Sequence, residues 1–510
     1  MRRASADHRD TEKFPPVNIF PIIIDFEFSL CYKKEHRLGL QKNMVKTVRK
    51  NCIFLFLMVL FFLPFSGLAS GHILLKNAKI YTMGTTGTLA RGMILITNGK
   101  VEKIGPDIPA PSEIQVFDLS GKTIIPGMVC VSSSLFLDER DLRYRGDESP
   151  DTDILEGIHY LDPYAEKIYR QGVTTAYISP VSFRSFGGLG AVVKTASGES
   201  GRFHVLREKA ALSIRLDALQ DKMTSSVLRL TQYHRIRDQF REAQEYGEEW
   251  EDYKKELEMF ERKKKKMEEK KEEELGKKPP IKTSATKEPK EPKKPKKDEA
   301  KEILLQAMDK KIPVRFAVHR PDSILHALNL GEEFGLDIIL VGAENWPTLL
   351  DELIKISVPI LTNPLLDYRK FLLPGGGKGY AAQLLRIDDD EFFYSDKESV
   401  RGILPWGHPW EKLAESGIPF AVVPPDRFPL SARFMRFYAG LLASEGIPAE
   451  IALGAVTVNA AKILGVSDRL GSLEEGKDAD LVVLDGEPLN SLAKVEMVFV
   501  DGVIVWKNEK

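Results

Sequence analysis

Cysteine is nearly absent from this chain: Cys31, Cys52 and Cys130 are the only three in 510 residues. If the chain is cut near Ala69, as argued below, Cys130 alone remains and no intramolecular disulfide can form. Cys130 lies in an apolar strand and reads as a small buried hydrophobe rather than a nucleophile. An excess of charge of one sign is also missing. Lys plus Arg (73) and Asp plus Glu (74) leave a net −1, which argues against a nucleic-acid or membrane-surface role for the whole molecule. A phosphate loop is missing too. Gly187-Gly188-Leu189-Gly190 lacks the preceding strand and the Gly-Lys-Ser/Thr ending that such a loop needs. Histidine is scarce, at nine, and His72, His159, His204, His234, His326 and His408 form no ligand-spaced pair.

What is present begins with an address. Met44 to Asn51 is basic, Cys52 to Phe65 is almost wholly apolar, and Ser66 to Gly71 is small and mostly polar. That order is a secretory signal, residues 44–69, with cleavage expected after Ala69. The apolar run is short for a membrane span, which takes about 20 residues; an uncleaved anchor is the alternative, and only then would a membrane be a partner. Residues 1–43 do not fit ahead of a signal, so translation is expected to start at Met44. The mature protein is expected to be periplasmic or extracellular.

Two β-rich ends flank a long middle. Asn98-Gly99 between Met93–Thr97 and Val101–Ile104 is a hairpin signal, because both turn residues tolerate positive φ. Asp501-Gly502 between Val495–Val500 and Val503–Trp506 is a second. Residues 70–122 and 468–510 are therefore expected to build one composite β-module, a small sandwich. Residues 123–467 alternate apolar strands with helical stretches, which predicts α/β with a parallel sheet. Eight candidate strands fit a (β/α)8 barrel with its site at the strand C-terminal ends: 123–131, 172–179, 190–195, 211–216, 314–318, 337–341, 358–361 and 419–423. Helices are expected at 321–334 and 431–444. Residues 235–300 are expected to be a solvated insertion on a barrel loop, a charged helix to Lys278 and then a mobile Lys/Pro linker.

The C-terminal run Ala455-Val-Thr-Val-Asn-Ala-Ala-Lys-Ile-Leu-Gly465, leading into Gly471-Ser-Leu-Glu-Glu-Gly-Lys-Asp-Ala-Asp-Leu-Val-Val-Leu-Asp485, resembles the end of an amidohydrolase-superfamily barrel and its return to the β-module. Ile124 to Leu135 resembles the entry to that barrel, and Gly187 to Thr195 a glycine-rich segment of its imidazolonepropionase- and prolidase-like subgroup. The resemblance covers about residues 72–510. It implies a metal, usually zinc, that turns water into hydroxide, held in part by His-x-His on the first strand. Here those positions fall on Ser132 and Ser134, and a serine hydroxyl is a poor zinc ligand. The fifth-strand ligand falls on Ala317, with the second histidine of that strand kept as His319. The sixth-strand ligand falls on Gly342. The family's last-strand aspartate falls at Pro424-Pro425, with Asp426 one residue late. Alanine and glycine carry no donor atom, so no metal and no other cofactor is expected; zinc would enter only if this reading fails. His319 reads as hydrogen-bonded scaffolding or as a pocket-lining imidazole. Asp426 is a weak candidate for the proton-handling carboxylate, and Lys194 a weaker one for the carboxylated lysine of some relatives.

Three functions follow. The first is an exported, catalytically degenerate amidohydrolase-like barrel that binds a small-molecule ligand or a protein partner, either an active paralogue or a second copy. The second is a hydrolase of carbon–nitrogen bonds, non-peptide or dipeptide-like, working through a non-standard site. The third is a scaffold acting through the charged insertion.

Overall fold

The computed structural model describes residues 72–109, 114–137, 149–180, 185–196, 204–216, 226–275, 290–364, 409–424 and 429–509. The expected signal segment, residues 44–69, and residues 1–43 lie outside the described residues. Among the described residues no helix is long and apolar enough to cross a membrane.

Strands β1 (Ile73–Tyr81), β2 (Thr88–Thr97), β3 (Lys100–Gly105), β4 (Gln115–Asp118) and β5 (Thr123–Pro126) come from the front of the described chain. They join β14 (Leu481–Leu484), β15 (Val495–Val500) and β16 (Val503–Lys507) in one eight-stranded sheet of order β16-β15-β14-β5-β1-β2-β3, with β4 beside β1. Leu75, Ile80, Ile94 and Ile124 from one end of the chain share a core with Leu481, Val483 and Phe499 from the other. Both hairpin turns form as their sequences predict: Asn98, Gly99, Asp501 and Gly502 all have positive φ.

The second sheet runs β6 (Met128–Ser133), β7 (Val173–Ile178), β8 (Phe186–Lys194), β9 (Val205–Arg215), β10 (Val314–Ala317), β11 (Ile338–Val341), β12 (Ile360–Thr362) and β13 (Phe420–Val422), neighbours in chain order. It is a nearly closed barrel. The gap between β13 and β6 is bridged by the chain at 455–456: the Val422 N–H donates to the Ala455 carbonyl and the Val129 N–H to the Val456 carbonyl. Val129, Val131, Tyr177, Val192, Ile339 and Leu361 fill the interior. Met128, Cys130, Phe316 and Leu340 face the helices outside. The helix Pro321–Phe334 falls where its periodicity puts it, ended by Gly335 in the left-handed conformation. The second expected helix opens as a 3-10 turn, Pro429–Phe434, before Met435–Ser444.

Three expectations need correction. The stretch Thr123–Val131 is two strands in two different sheets: β5 pairs with β14 and β6 with β7. The break is at Gly127, where a Cβ would lie 2.2 Å from the Thr174 hydroxyl. The barrel is also not wholly parallel. β8 runs antiparallel to both β7 and β9, because the connections 179–185 and 195–204 are too short for a crossover helix. Finally, the charged stretch is not solvated where it was expected to begin. The helix Ser226–Leu275 starts earlier; Ile236, Phe240 and Ala243 are buried in the main core, and Tyr246 is buried too. Phe240 stacks on Phe334 at 5.0 Å. Those apolar residues recur every three or four positions and tie the helix to the barrel; only its later part is dominated by exposed charge. The Lys/Pro return is described from residue 290, and there it is held: Lys294 lies over the Trp250 ring and the Asp298 N–H donates to the Tyr246 hydroxyl.

Candidate active site and its departures

The seven strands other than β8 point their C-terminal ends to one mouth, and there lies a cavity of about 20 Å³, room for about one water molecule. Two of the four implied ligand positions, Ser132 and Ala317, line it. Ser132 faces the cavity because β6 departs from regular pairing between Cys130 and Ser133, the two-against-one signature of a bulge. Ser134 is buried just beyond the strand. Cys130 sits on the outward face, its thiol donating to the Ser132 carbonyl at 3.1 Å. Burial pushes that thiol up to about 12, which suits the inert small hydrophobe read from the sequence.

Gly342 follows β11 with φ +86°. A Cβ there would lie 2.6 Å from His319 Cε1 and 2.9 Å from its Nδ1. The His319 ring therefore occupies the space that a side chain at 342 would need. His319 Nδ1 lies 2.9 Å from Glu344 Oε1, and the Asn345 amide donates to the His319 carbonyl at 2.8 Å. Glu344 is buried, and its second oxygen, Oε2, has no hydrogen-bond partner among the described residues. His319 is thus both an anchored imidazole and a neighbour of two ligand positions. Asp426 lies outside the described residues.

The sequence left two cations unmentioned that dominate the mouth, Arg215 and Arg315. Both are buried and both line the cavity. Arg315 donates to the Val131 carbonyl at 2.7 Å, and its guanidinium lies 3.9 Å from the centre of the Tyr177 ring. The Tyr177 hydroxyl reaches Ser213 Oγ at 3.3 Å. A Cβ at Gly190 would lie 2.2 Å from that hydroxyl, so this glycine makes room for the ring that carries Arg315. A signal for Arg315 was present: it stands two residues before Ala317 in a strand, hence on the same face.

Lys194 is at the other end. Because β8 is reversed, Lys194 pairs with Thr175 near the start of β7, at the barrel foot. The carboxylated-lysine reading is therefore corrected: the residue is far from the mouth. Its ammonium, with no exposed side chain, contacts Asp478 Oδ2 at 3.1 Å, Asp480 Oδ1 at 2.8 Å and Asp501 Oδ1 at 2.7 Å. Burial alone would lower its pKa, but the fields of Asp480, Asp501 and Asp478 outweigh it and raise the value. Burial pushes the Asp480 carboxyl up against the pull of Lys194. For Asp478 burial acts the same way, and Lys194, Lys100 and Arg469 together overcome it and hold the carboxyl down. His204 Nδ1 lies 3.1 Å from Asp501 Oδ2. Among the described residues no group of three or more His, Cys, Asp or Glu is placed to hold a metal.

A model of the amidohydrolase family matches residues 428–505. An imidazolonepropionase from Thermoplasma volcanium is 34% identical over 104 residues, 19% of this chain and 26% of that protein. Amidohydrolase tasK from Hapsidospora irregularis is 23% identical over 475 residues, 84% of this chain and 42% of that protein. The crystal structure of an amidohydrolase from Thermotoga maritima MSB8 superposes with a TM-score of 0.65 at 27% identity, covering 86% of this chain and 100% of that one. The chain spans less than half the length of the curated relatives it matches. Barrel, composite sheet and matches together define the class, and the chain belongs to the amidohydrolase superfamily.

Proposed function

We propose that this protein is an exported amidohydrolase-superfamily barrel that binds a small molecule at its mouth without a catalytic metal. The observation that carries the reading is that Arg215 and Arg315 share one cavity with Ser132 and Ala317. The donor set does not fit zinc. Ala317 and Gly342 offer no ligand atom, a side chain at 342 would meet His319, and hydroxyls bind zinc weakly.

Metal analysis after purification from zinc-supplemented medium, with a panel of amides and lactams assayed on the same sample, tests this. Zinc well below one per chain and no metal-dependent turnover are expected. Stoichiometric zinc with turnover that a chelator abolishes overturns the reading.

A second reading has its own support. His319 is oriented by buried Glu344 at 2.9 Å, the arrangement by which a carboxylate fixes an imidazole for general-base work. On that reading a carbon–nitrogen bond is hydrolysed without metal, and chelator-resistant turnover that disappears in His319→Ala would establish it. We further propose an active paralogue or a second copy as the protein partner, tested by co-purification from the native periplasm. N-terminal sequencing of the mature chain tests export, with a start near Ser70 expected.

A further inference from the structure

The charged helix Ser226–Leu275 carries a pattern that the barrel does not use. Tyr253, Leu257, Phe260, Lys264 and Met267 follow one another at intervals of four, three, four and three, continuing from Tyr246 and Trp250. Those are the a and d positions of a left-handed coiled coil. The molecule itself covers the first two: Tyr246 is buried and Lys294 lies over Trp250. Beyond them Tyr253, Leu257, Phe260 and Met267 are half-buried, whereas every other residue from Glu251 to Glu269 is exposed. Among the described residues, the hydrogen bonds, ion pairs and ring contacts that tie this helix to other segments fall at or before Trp250. A projecting helix is held either by many ion pairs along its own surface or by a partner for its apolar stripe. Between Glu251 and Glu269 the ion pair among the described residues is Lys255 with Asp252, at 3.0 Å.

We infer that this stripe pairs with the same stripe of a second copy as a two-stranded antiparallel coiled coil. The step rests on the proposal of a second copy as the protein partner and assigns it a surface. Charge decides the direction. In the antiparallel register centred between Glu258 and Met259, Leu257 packs on the partner's Phe260 in both central layers. Lys264 falls on the partner's Tyr253, where an ammonium over a ring is attracted. Beside the seam, Glu256 meets the partner's Lys263 and Lys254 the partner's Glu261, each twice by symmetry, so all of these pairs attract. Lys254, Glu256, Glu261 and Lys263 are exposed and take part in no ion pair among the described residues. A parallel pair instead sets Lys264 against the partner's Lys264 in the core and Glu256 against the partner's Glu261. Like charges so placed repel and select against that arrangement.

The experiment measures the mass of the full chain by sedimentation over a concentration series. A reversible monomer–dimer equilibrium is expected. Leu257→Glu changes both central layers and should weaken the dimer at least about a hundredfold while keeping the far-UV circular dichroism. Glu256→Lys should weaken it roughly fivefold, and adding Lys263→Glu should restore it, a rescue that a merely structural role would not produce. Nitroxide labels on Glu258→Cys or Glu269→Cys read the direction, in a Cys31→Ser, Cys52→Ser background where the remaining Cys130 is buried. The labels should lie close together at 258 and about 30 Å apart along the axis at 269. Equal separations at the two positions overturn the antiparallel direction. A dimer that Leu257→Glu leaves intact overturns the surface and keeps the second-copy reading. A monomer at every concentration overturns both and leaves the stripe to the chain's own return segment, so the two failures are distinguishable.

Discussion

The barrel buries cations at both ends and treats them in opposite ways. At the foot, Lys194 is ringed by three carboxylates, two of them tied in turn to Lys100, Arg469 and His204. At the mouth, Arg215 and Arg315 face a cavity whose other described polar lining is hydroxyl. A buried charge is costly unless it is compensated. The foot is held by carboxylates and is part of the structure; at the mouth the described contacts of Arg315 are a backbone carbonyl and an aromatic ring, beside serine hydroxyls. Lys194 was a weak candidate for the carboxylated lysine of some relatives, and strand direction places it at the foot.

The largest effect that would break this contrast is expected at the foot. Lys194→Met leaves Asp478, Asp480 and Asp501 facing one another and should cost about 3–5 kcal/mol, read from urea unfolding at pH 7. A loss of less than about 1 kcal/mol would mean the cluster is not compensated as described. Next is the support of Arg315. Gly190→Ala forces the Tyr177 hydroxyl to move from a contact of 2.2 Å and should cost about 1–3 kcal/mol; Tyr177→Phe in the same background should recover part of it. Gly342→Ala meets both the His319 ring and a left-handed backbone. It should cost about 1–2 kcal/mol, and His319→Ala should relieve the contact while leaving the backbone share.

Dependence on pH sharpens the comparison further. Lys194 has a folded pKa above its unfolded value, so its stabilisation is complete below about pH 10.4 and is lost as pH rises through the folded value. The wild-type urea midpoint should therefore fall more steeply than that of Lys194→Met above about pH 10. The smallest effect is on the acid side. Glu474 is held at about 2, chiefly by the Lys477 hydrogen bond and then by Ser472. Its contribution is present above about pH 4.3 and lost as pH falls towards the folded value. Because it is partly exposed, Glu474→Gln should remove about 1 kcal/mol or less, measured as a flatter midpoint between about pH 5 and 2.5.

Much of the fold was legible because strand length, turn chemistry and apolar alternation are local. All eight barrel strands were readable, and Asn98-Gly99 and Asp501-Gly502 announced their turns. Direction was not, since nothing within β8 says which way it runs; that follows from the loops on either side of it. The break at Gly127 was hidden because β5 and β6 are both apolar, and the sheet each joins is decided by distant partners. The long helix was misread because its charge density masks Ile236, Phe240 and Ala243. At the site, the residues at the implied ligand positions, Ser132, Ala317 and Gly342, could be read from the sequence, but their surroundings could not. Arg315 carried a usable signal in its spacing from Ala317, whereas the Glu344 contact to His319 depends on two loops meeting.

The geometry at Gly342 has a consequence for engineering. Placing a histidine at 342 meets both the His319 ring and a left-handed backbone. Changing 319 and 342 together removes the contact with the ring and leaves only the backbone cost, so a programme that builds the implied metal site gains more at this strand from the paired change than from either change alone.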